Sequence, residues 1–355
     1  MKRNIIYISC LSVLALFSAC TADTDDGAVT PSPQTNQQLV IHTRNGNENE
    51  WYSFQEGDKI RVFNAHSDLS DVVTEQKGIY ECVKDDKDIL KWVNSPSNTY
   101  IGLWPDAIQR DGTYNKYFFT ATSDQDGNSI PMNQSAKSNY DNSDFLVARC
   151  TIDKEQNESY WRETGIYLHF RHVLSQLKVN VFFPTKTETN SENDGYFIPS
   201  KITNVKMELV KPRNKYTVTY NNELQDRAIA SVTTNQTHAS LNLTMYAETQ
   251  KENSNVPGST EAASKYSFKA IIPHGQLYQK DSECLKITVT YNDKTLNFTY
   301  APPTNTIMQF QQEKITVVNL TLLHKKAEDK VLLNSVILQD WITDKADTEL
   351  VEQPK

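Results

Sequence analysis

His169 and His172 are the two imidazoles nearest one another along the chain, and metal ligation is the chemistry such a pair can do. A metal draws its ligands to one point at about 2 Å. On a strand, an odd spacing sends the two side chains to opposite faces unless a bulge intervenes. The pair therefore reads as core-edge histidines satisfied by hydrogen bonds. The remaining histidines, at 42, 66, 238, 274 and 324, are isolated. No HExxH, CxxC, GxSxG, P-loop or GxGxxG pattern is present. Carboxylates are plentiful, but a glycosidase pair must meet at about 5 Å in space, which chain spacing does not set. The run "SDQDGN", Ser123 to Asn128, has the spacing of a calcium loop without its closing Glu, and reads as a polar turn. No catalytic pattern, metal site or cofactor is expected, and the chain is read as non-enzymatic.

The five cysteines fall into two groups. Cys10 and Cys20 lie near the N-terminus, and Cys82, Cys150 and Cys284 are spread through the rest. An odd, sparse set is unlike the dense even frameworks of disulfide-stapled domains, so these three are read as small buried hydrophobes. Cys20 differs. Lys2 and Arg3 precede an apolar stretch from Ile5 to Phe17, then Ser18, Ala19 and Cys20. That is the build of a secretory signal, too short to span a bilayer, which takes roughly 20 apolar residues. Phe17-Ser18-Ala19-Cys20 resembles the bacterial lipobox, with Phe17 where Leu is usual. The resemblance implies cleavage after residue 19 and a lipid on Cys20, each buried methylene contributing about 0.8 kcal/mol to anchoring.

Residues 20 to 38, acidic and Pro-containing without apolar periodicity, read as a flexible tether. The formal net charge is −8, with Lys and Arg scattered singly. A nucleic-acid partner, which needs a basic stripe, is excluded on this reading.

Beyond the tether, period-two alternation dominates. Ile60 and Val62 share a face, as do Val205, Met207 and Leu209, and Tyr216, Val218 and Tyr220. Leu241, Leu243 and Met245 alternate, then Tyr266, Phe268, Ala270 and Ile272. Leu285, Ile287, Val289 and Tyr291 run into "NDK", and Leu296, Phe298 and Tyr300 return, predicting a hairpin with a three- to four-residue loop. Alternation of this kind marks half-buried antiparallel strands. In "GIYLHFRHVLSQLKVNVFF" the apolar parity changes between Phe170 and Leu177, which requires a bulge or turn within Arg171 to Gln176. The polar run from Thr185 to Gly195 marks the expected divide between a domain at 39–190 and another at 191–355. The fold class is all-β, built as antiparallel sandwiches.

The order of these strands resembles the fimbrillin family, the Mfa-like and FimA-like lipoproteins of anaerobic Gram-negative bacteria. The matching pieces are "FQEGDKIRVF" (Phe54 to Phe63), "YIGLWPDA" (Tyr100 to Ala107), "DFLVARC" (Asp144 to Cys150) and "YLHFRHVLSQLKVNV" (Tyr167 to Val181). They continue with "AIIPHGQ" (Ala270 to Gln276), "FQQEKITVVNLTL" (Phe310 to Leu322) and "ILQDW" (Ile337 to Trp341). Two departures stand out. Gln312 and Glu313 replace the family's Pro-Gly, and Leu103-Trp104 stand where two tyrosines are common.

The resemblance implies two transthyretin-like β-sandwich domains in an outer-membrane lipoprotein displayed at the surface. It implies a subunit of an adhesive fimbria, with other fimbrial subunits as partners and a ligand on a host or bacterial surface. By the same resemblance Arg44 is the processing position, and Leu39, Val40 and Ile41 belong to the strand lost on cleavage. The emptied groove then receives a strand from the next subunit, here the C-terminal segment with Val336, Leu338 and Trp341. Val336 and Leu338 share one face, and Trp341 falls on the other unless the strand bends. The alternative is a monomeric surface lipoprotein that stacks glycan on Trp92, Trp104 or Trp161.

Overall fold

The computed structural model describes residues 41–44, 59–64, 70–76, 79–82, 97–106, 108–110, 116–119, 128–153, 166–185, 196–219, 231–234, 238–275, 277–278, 282–303, 308–324 and 329–340. All of them belong to one unit, Gln38–Lys355. Strands dominate. The first eight are β1 (Ile41–Arg44), β2 (Lys59–Asn64), β3 (Ser70–Gln76), β4 (Ile79–Cys82), β5 (Ser97–Trp104), β6 (Ile108–Arg110), β7 (Lys116–Phe119) and β8 (Asn128–Ser129). A five-residue helix, α1 (Lys137–Asp141), leads to β9 (Leu146–Asp153), β10 (Ile166–His169), β11 (Arg171–His172) and β12 (Ser175–Pro184). Then come β13 (Ile202–Leu209), β14 (Lys215–Thr219), β15 (Ser231–Thr234), β16 (Leu243–Thr244), β17 (Tyr246–Asn255) and β18 (Ala262–Ile272). The last are β19 (Leu277–Tyr278), β20 (Leu285–Tyr291), β21 (Lys294–Tyr300), β22 (Met308–Gln309), β23 (Lys314–His324) and β24 (Asp329–Asp340).

The chain is all-β, and most ladders are antiparallel. An eight-stranded sheet runs β10-β1-β4-β3-β2-β5-β9-β11, and a five-stranded sheet runs β17-β18-β12-β23-β24. A four-stranded sheet runs β16-β13-β20-β21; β15-β14-β7-β6 form another, with β8 on β14, and β19 pairs β22. Among the described residues two ladders are parallel, β1 with β10 and β12 with β23.

Alternation in sequence becomes alternation in burial. In β20, Leu285, Ile287, Val289 and Tyr291 are buried and the residues between them are half-buried. The hairpin that follows is tighter than the sequence predicts. Tyr291 pairs directly with Lys294, which leaves only Asn292 and Asp293 to turn the chain. Their φ values of 49° and 60° give the doubly left-handed turn whose twist matches a two-residue hairpin.

Where its side chains are described, the eight-stranded sheet buries both faces. Ile60, Val62, Tyr100, Leu146, Ala148, Ile152, Leu168 and Phe170 form a small core on one side. Phe63, Ile101, Leu103, Phe145 and Val147 enter the main core on the other. The parity change after Phe170 is resolved where the sequence requires it. The chain leaves β11, turns through Val173 and Leu174, and re-emerges as β12 with Leu177, Val179, Val181 and Phe183 in the main core. Backbone bonds fix that turn: Val173 N donates to Phe145 O at 3.0 Å, and Glu313 N donates to Leu174 O at 2.9 Å. The change of sheet thus falls before β12, whose two ladder partners, β18 and β23, both come from beyond residue 191.

Candidate strand-exchange site

β1 is a short insertion between two longer-range neighbours. It pairs in parallel with β10, Ile41 with Ile166 through Arg44 with His169, and antiparallel with β4, Ile41 with Tyr80 and His42 with Ile79. Arg44 is its last residue. Neighbouring strands sit about 4.8 Å apart, so removing β1 opens a slot about 10 Å wide between β4 and β10. Unpaired N–H and C=O groups then face each other across it, and such groups recruit a strand. The slot's β10 wall is packed tightly from beneath: a Cβ on Gly102 of β5 would lie 2.7 Å from Phe170 Cζ and 2.8 Å from Leu168 Cδ1.

The C-terminal residues lie elsewhere. β24 is the edge of the five-stranded sheet, antiparallel to β23, with Val336 opposite Val318 and Leu338 opposite Thr316. Val336 packs against the main core, whereas Leu338 is 45% exposed. Within one chain the structure therefore does not bring Val336 and Leu338 to β1. Side chains help dock β24: Asn319 Nδ2 donates to Ser335 Oγ at 2.8 Å, and Thr321 Oγ1 to Asn334 Oδ1 at 2.7 Å. The bonding continues inward through Asn180 Nδ2 to Asn319 Oδ1 at 2.8 Å and Ser267 Oγ to Asn180 Oδ1 at 2.8 Å.

A buried polar group joins the two large sheets. His172 Nδ1 lies 2.8 Å and 3.0 Å from the Asp144 carboxylate oxygens, with both side chains almost fully buried. Gln176 Nε2 donates to the Tyr140 hydroxyl at 2.6 Å. Burial, with Asp144 nearby, holds the Tyr140 and Tyr216 hydroxyls well above the usual phenol range. Glu313 closes the group at the turn into β23. Burial pushes its carboxyl up against the opposing pull of Arg171, His172 and Lys314. On the five-stranded sheet, burial also acts to raise the Glu248 carboxyl, but Lys269 and Lys178 together hold it below the usual carboxylate range.

These contacts were only partly visible in the sequence. His172 was expected to be hydrogen-bonded, but its partner Asp144 lies 28 residues away and local spacing gives no hint of it. Among the described residues no three His, Cys, Asp or Glu side chains are grouped to hold a metal. Cys284 is fully buried, and burial raises its thiol well above the ordinary range. Trp104 is half-buried against the small core. Cys20, Leu39, Val40, Trp341, Trp92 and Trp161 lie outside the described residues, as does Ser123 to Gly127; Asn128 pairs in β8.

The chain is similar to several solved structures and to one family profile. A proposed cell-adhesion protein of Bacteroides ovatus is 14% identical, with 87% of this chain and 99% of that one covered at a TM-score of 0.49. A fimbrial protein of Bacteroides vulgatus is 12% identical, with 86% and 99% covered at 0.44. The fimbrial anchor protein Mfa2 of Porphyromonas gingivalis is 11% identical, with 86% and 98% covered at 0.31. No curated protein matches. The fimbrillin-like family profile matches residues 40–341, from just before β1 to just past β24, and on that match the chain belongs to the fimbrillin-like family.

Proposed function

We propose that the chain is a non-catalytic subunit of an adhesive surface fimbria, anchored first through lipidated Cys20 and assembled by strand exchange. The observation that supports this most directly is the placement of β1. A four-residue strand ending in Arg44 fills a slot between β4 and β10. A cut after Arg44 removes the lipid, the tether and β1 together, and leaves an acceptor for an extended segment from another subunit. Backbone pairing supplies the affinity of such a joint, and alternate side chains supply its specificity. The donor in this reading is the segment around Val336, Leu338 and Trp341. It leaves β23 as an edge strand, so no interior ladder has to break first.

The test is assembly on unboiled gels. The unaltered chain is expected to give a ladder of heat-labile oligomers, and Arg44→Ala is expected to abolish it. Deleting residues 336–355 is expected to do the same. That deletion also trims β24, so a gentler variant, Leu338→Asp with Trp341→Asp, separates exchange from folding, because Leu338 is exposed. A full ladder from Arg44→Ala refutes the processing step, and a full ladder from the double variant refutes the donor assignment.

A further inference from the structure

The outer edge of β24 carries a pattern of its own. Among the described residues no strand hydrogen-bonds to that edge. β24 is twelve residues long and pairs with β23 on one side, so the backbone N–H and C=O groups that point to its other side form a template for another strand. Three exposed large apolar side chains stand on it: Leu332 (45%), Ile337 (43%) and Leu338 (45%).

A bulge makes the pattern two-fold. Asn319 pairs with Ser335 and Leu320 with Leu333, so Asn334 is an extra residue in β24. Val331 and Leu333 on one side of the bulge, and Val336 and Leu338 on the other, take the register positions of the core-side face, opposite Leu322, Leu320, Val318 and Thr316. Leu332 and Ile337 take the outer face, opposite Thr321 and Val317. Asn334 and Ser335 both bond to outer-face side chains, Thr321 and Asn319. Counted outward from the Asn334–Ser335 bond, both directions therefore read the same: polar outer, apolar core-side, apolar outer, apolar core-side, polar outer.

We propose that this edge pairs antiparallel with the same edge of a second copy, about a two-fold axis at Asn334–Ser335, joining two five-stranded sheets into one. In that register Val331 meets Leu338 of the second copy, Leu332 meets Ile337, Leu333 meets Val336 and Lys330 meets Gln339. Every residue from Lys330 to Gln339 faces a partner on its own side. A slip of one residue exchanges all the faces, and a slip of two sets a core-side residue against an outer one at the bulge. The bulge therefore selects the register. The contact is isologous and closes at two copies. It goes beyond the fimbrial reading and belongs to the unexchanged chain, since a β24 that has left β23 as a donor no longer offers this edge.

The experiment uses the full chain purified in mild detergent, with Leu332→Cys in one preparation and Ile337→Cys in a second that carries a size tag. A short thiol–thiol cross-linker is added to each alone and to the mixture, with the unaltered chain as background. The expected result is a mixed product at least about tenfold above either like-with-like product. Residue 332 of one copy lies opposite 337 of the other, and the two 332 positions are offset by about 17 Å along the strand. A companion variant, Leu332→Lys with Ile337→Lys, changes only exposed side chains; it is expected to keep its thermal melt and to sediment as a monomer. Equal like-with-like and mixed products, or an unaltered chain that sediments as a monomer up to its solubility limit, overturns the proposal. The two readings fail separately. Gel ladders without the mixed product reject the edge pair alone, and the mixed product without ladders rejects strand exchange alone.

Discussion

At the scale of single residues, Glu313 shows how a departure in sequence becomes a cost in structure. Its φ of 58° lies in the left-handed region, where a side chain costs roughly 1–2 kcal/mol. By the fimbrillin resemblance Gln312 and Glu313 stand in place of Pro-Gly, but nothing in the sequence says that the second position needs a positive φ or that the carboxyl is half-buried. Glu313→Gly is expected to stabilise the protein by about 1 kcal/mol, read as a higher urea midpoint with an unchanged slope. Glu313→Gln isolates the charge. A carboxyl raised in the folded state holds its proton more tightly there than in the unfolded chain, so the native protein loses stability as pH rises through that interval. The Gln variant should therefore melt above the unaltered protein at pH 7, with the gain gone below about pH 4, where the unfolded carboxyl is also protonated. An equal gain at both pH values would show that charge is not the cause. The Asp144–His172 pair was illegible for another reason: its members meet only because β9 and β11 pair, Leu146 opposite His172.

At the scale of elements, most strands were legible because a half-buried strand writes its faces into alternate residues. The turn within "RHVLSQ" was legible because parity cannot change without one. Sheet membership was not, since the partners of β12 lie about 80 to 140 residues away and nothing local names them. Turn length is not legible either, because "NDK" does not say whether Lys294 already belongs to the ladder. The two-residue turn makes a prediction: Asp293→Gly gives the Asn-Gly pair this turn type prefers and should stabilise the hairpin by about 0.5 kcal/mol. A loss of stability would mean that the Asp293 side chain contributes more than its backbone strain costs. Packing beneath β10 makes another. Gly102→Ala inserts a methyl where Phe170 and Leu168 leave 2.7–2.8 Å, and is expected to cost about 2 kcal/mol by denaturant unfolding. Because that contact braces the wall of the β1 slot, the same variant should expose amides of β10 to faster hydrogen exchange.

At the scale of the whole molecule, one core is shared among the sheets. It takes Phe63 and Ile101 from the eight-stranded sheet, Val179 and Phe268 from the five-stranded, Val205 and Ile287 from the four-stranded, and Val218 from β14. The polar run from Thr185 to Gly195 departs and returns at one place, since Thr185 bridges Phe197 and Phe197 N donates to Pro184 O at 2.9 Å. Phe145, at the end of the eight-stranded sheet, meets Tyr216 of β14 edge to face with ring centroids 6.2 Å apart. Elements that share a core lose it together. Heating should therefore give one calorimetric transition whose van 't Hoff and calorimetric enthalpies agree, without a separate melt of the eight-stranded sheet. Phe145→Ala should lower stability by about 3–5 kcal/mol and move that transition down without splitting it. Two resolved peaks in the unaltered chain would show that the sheets are held independently. A single transition bears on assembly as well. In the proposed strand exchange, the sheet that holds β1 also sends side chains into the common core, and that attachment is expected to hold the slot open after β1 departs, until another strand fills it.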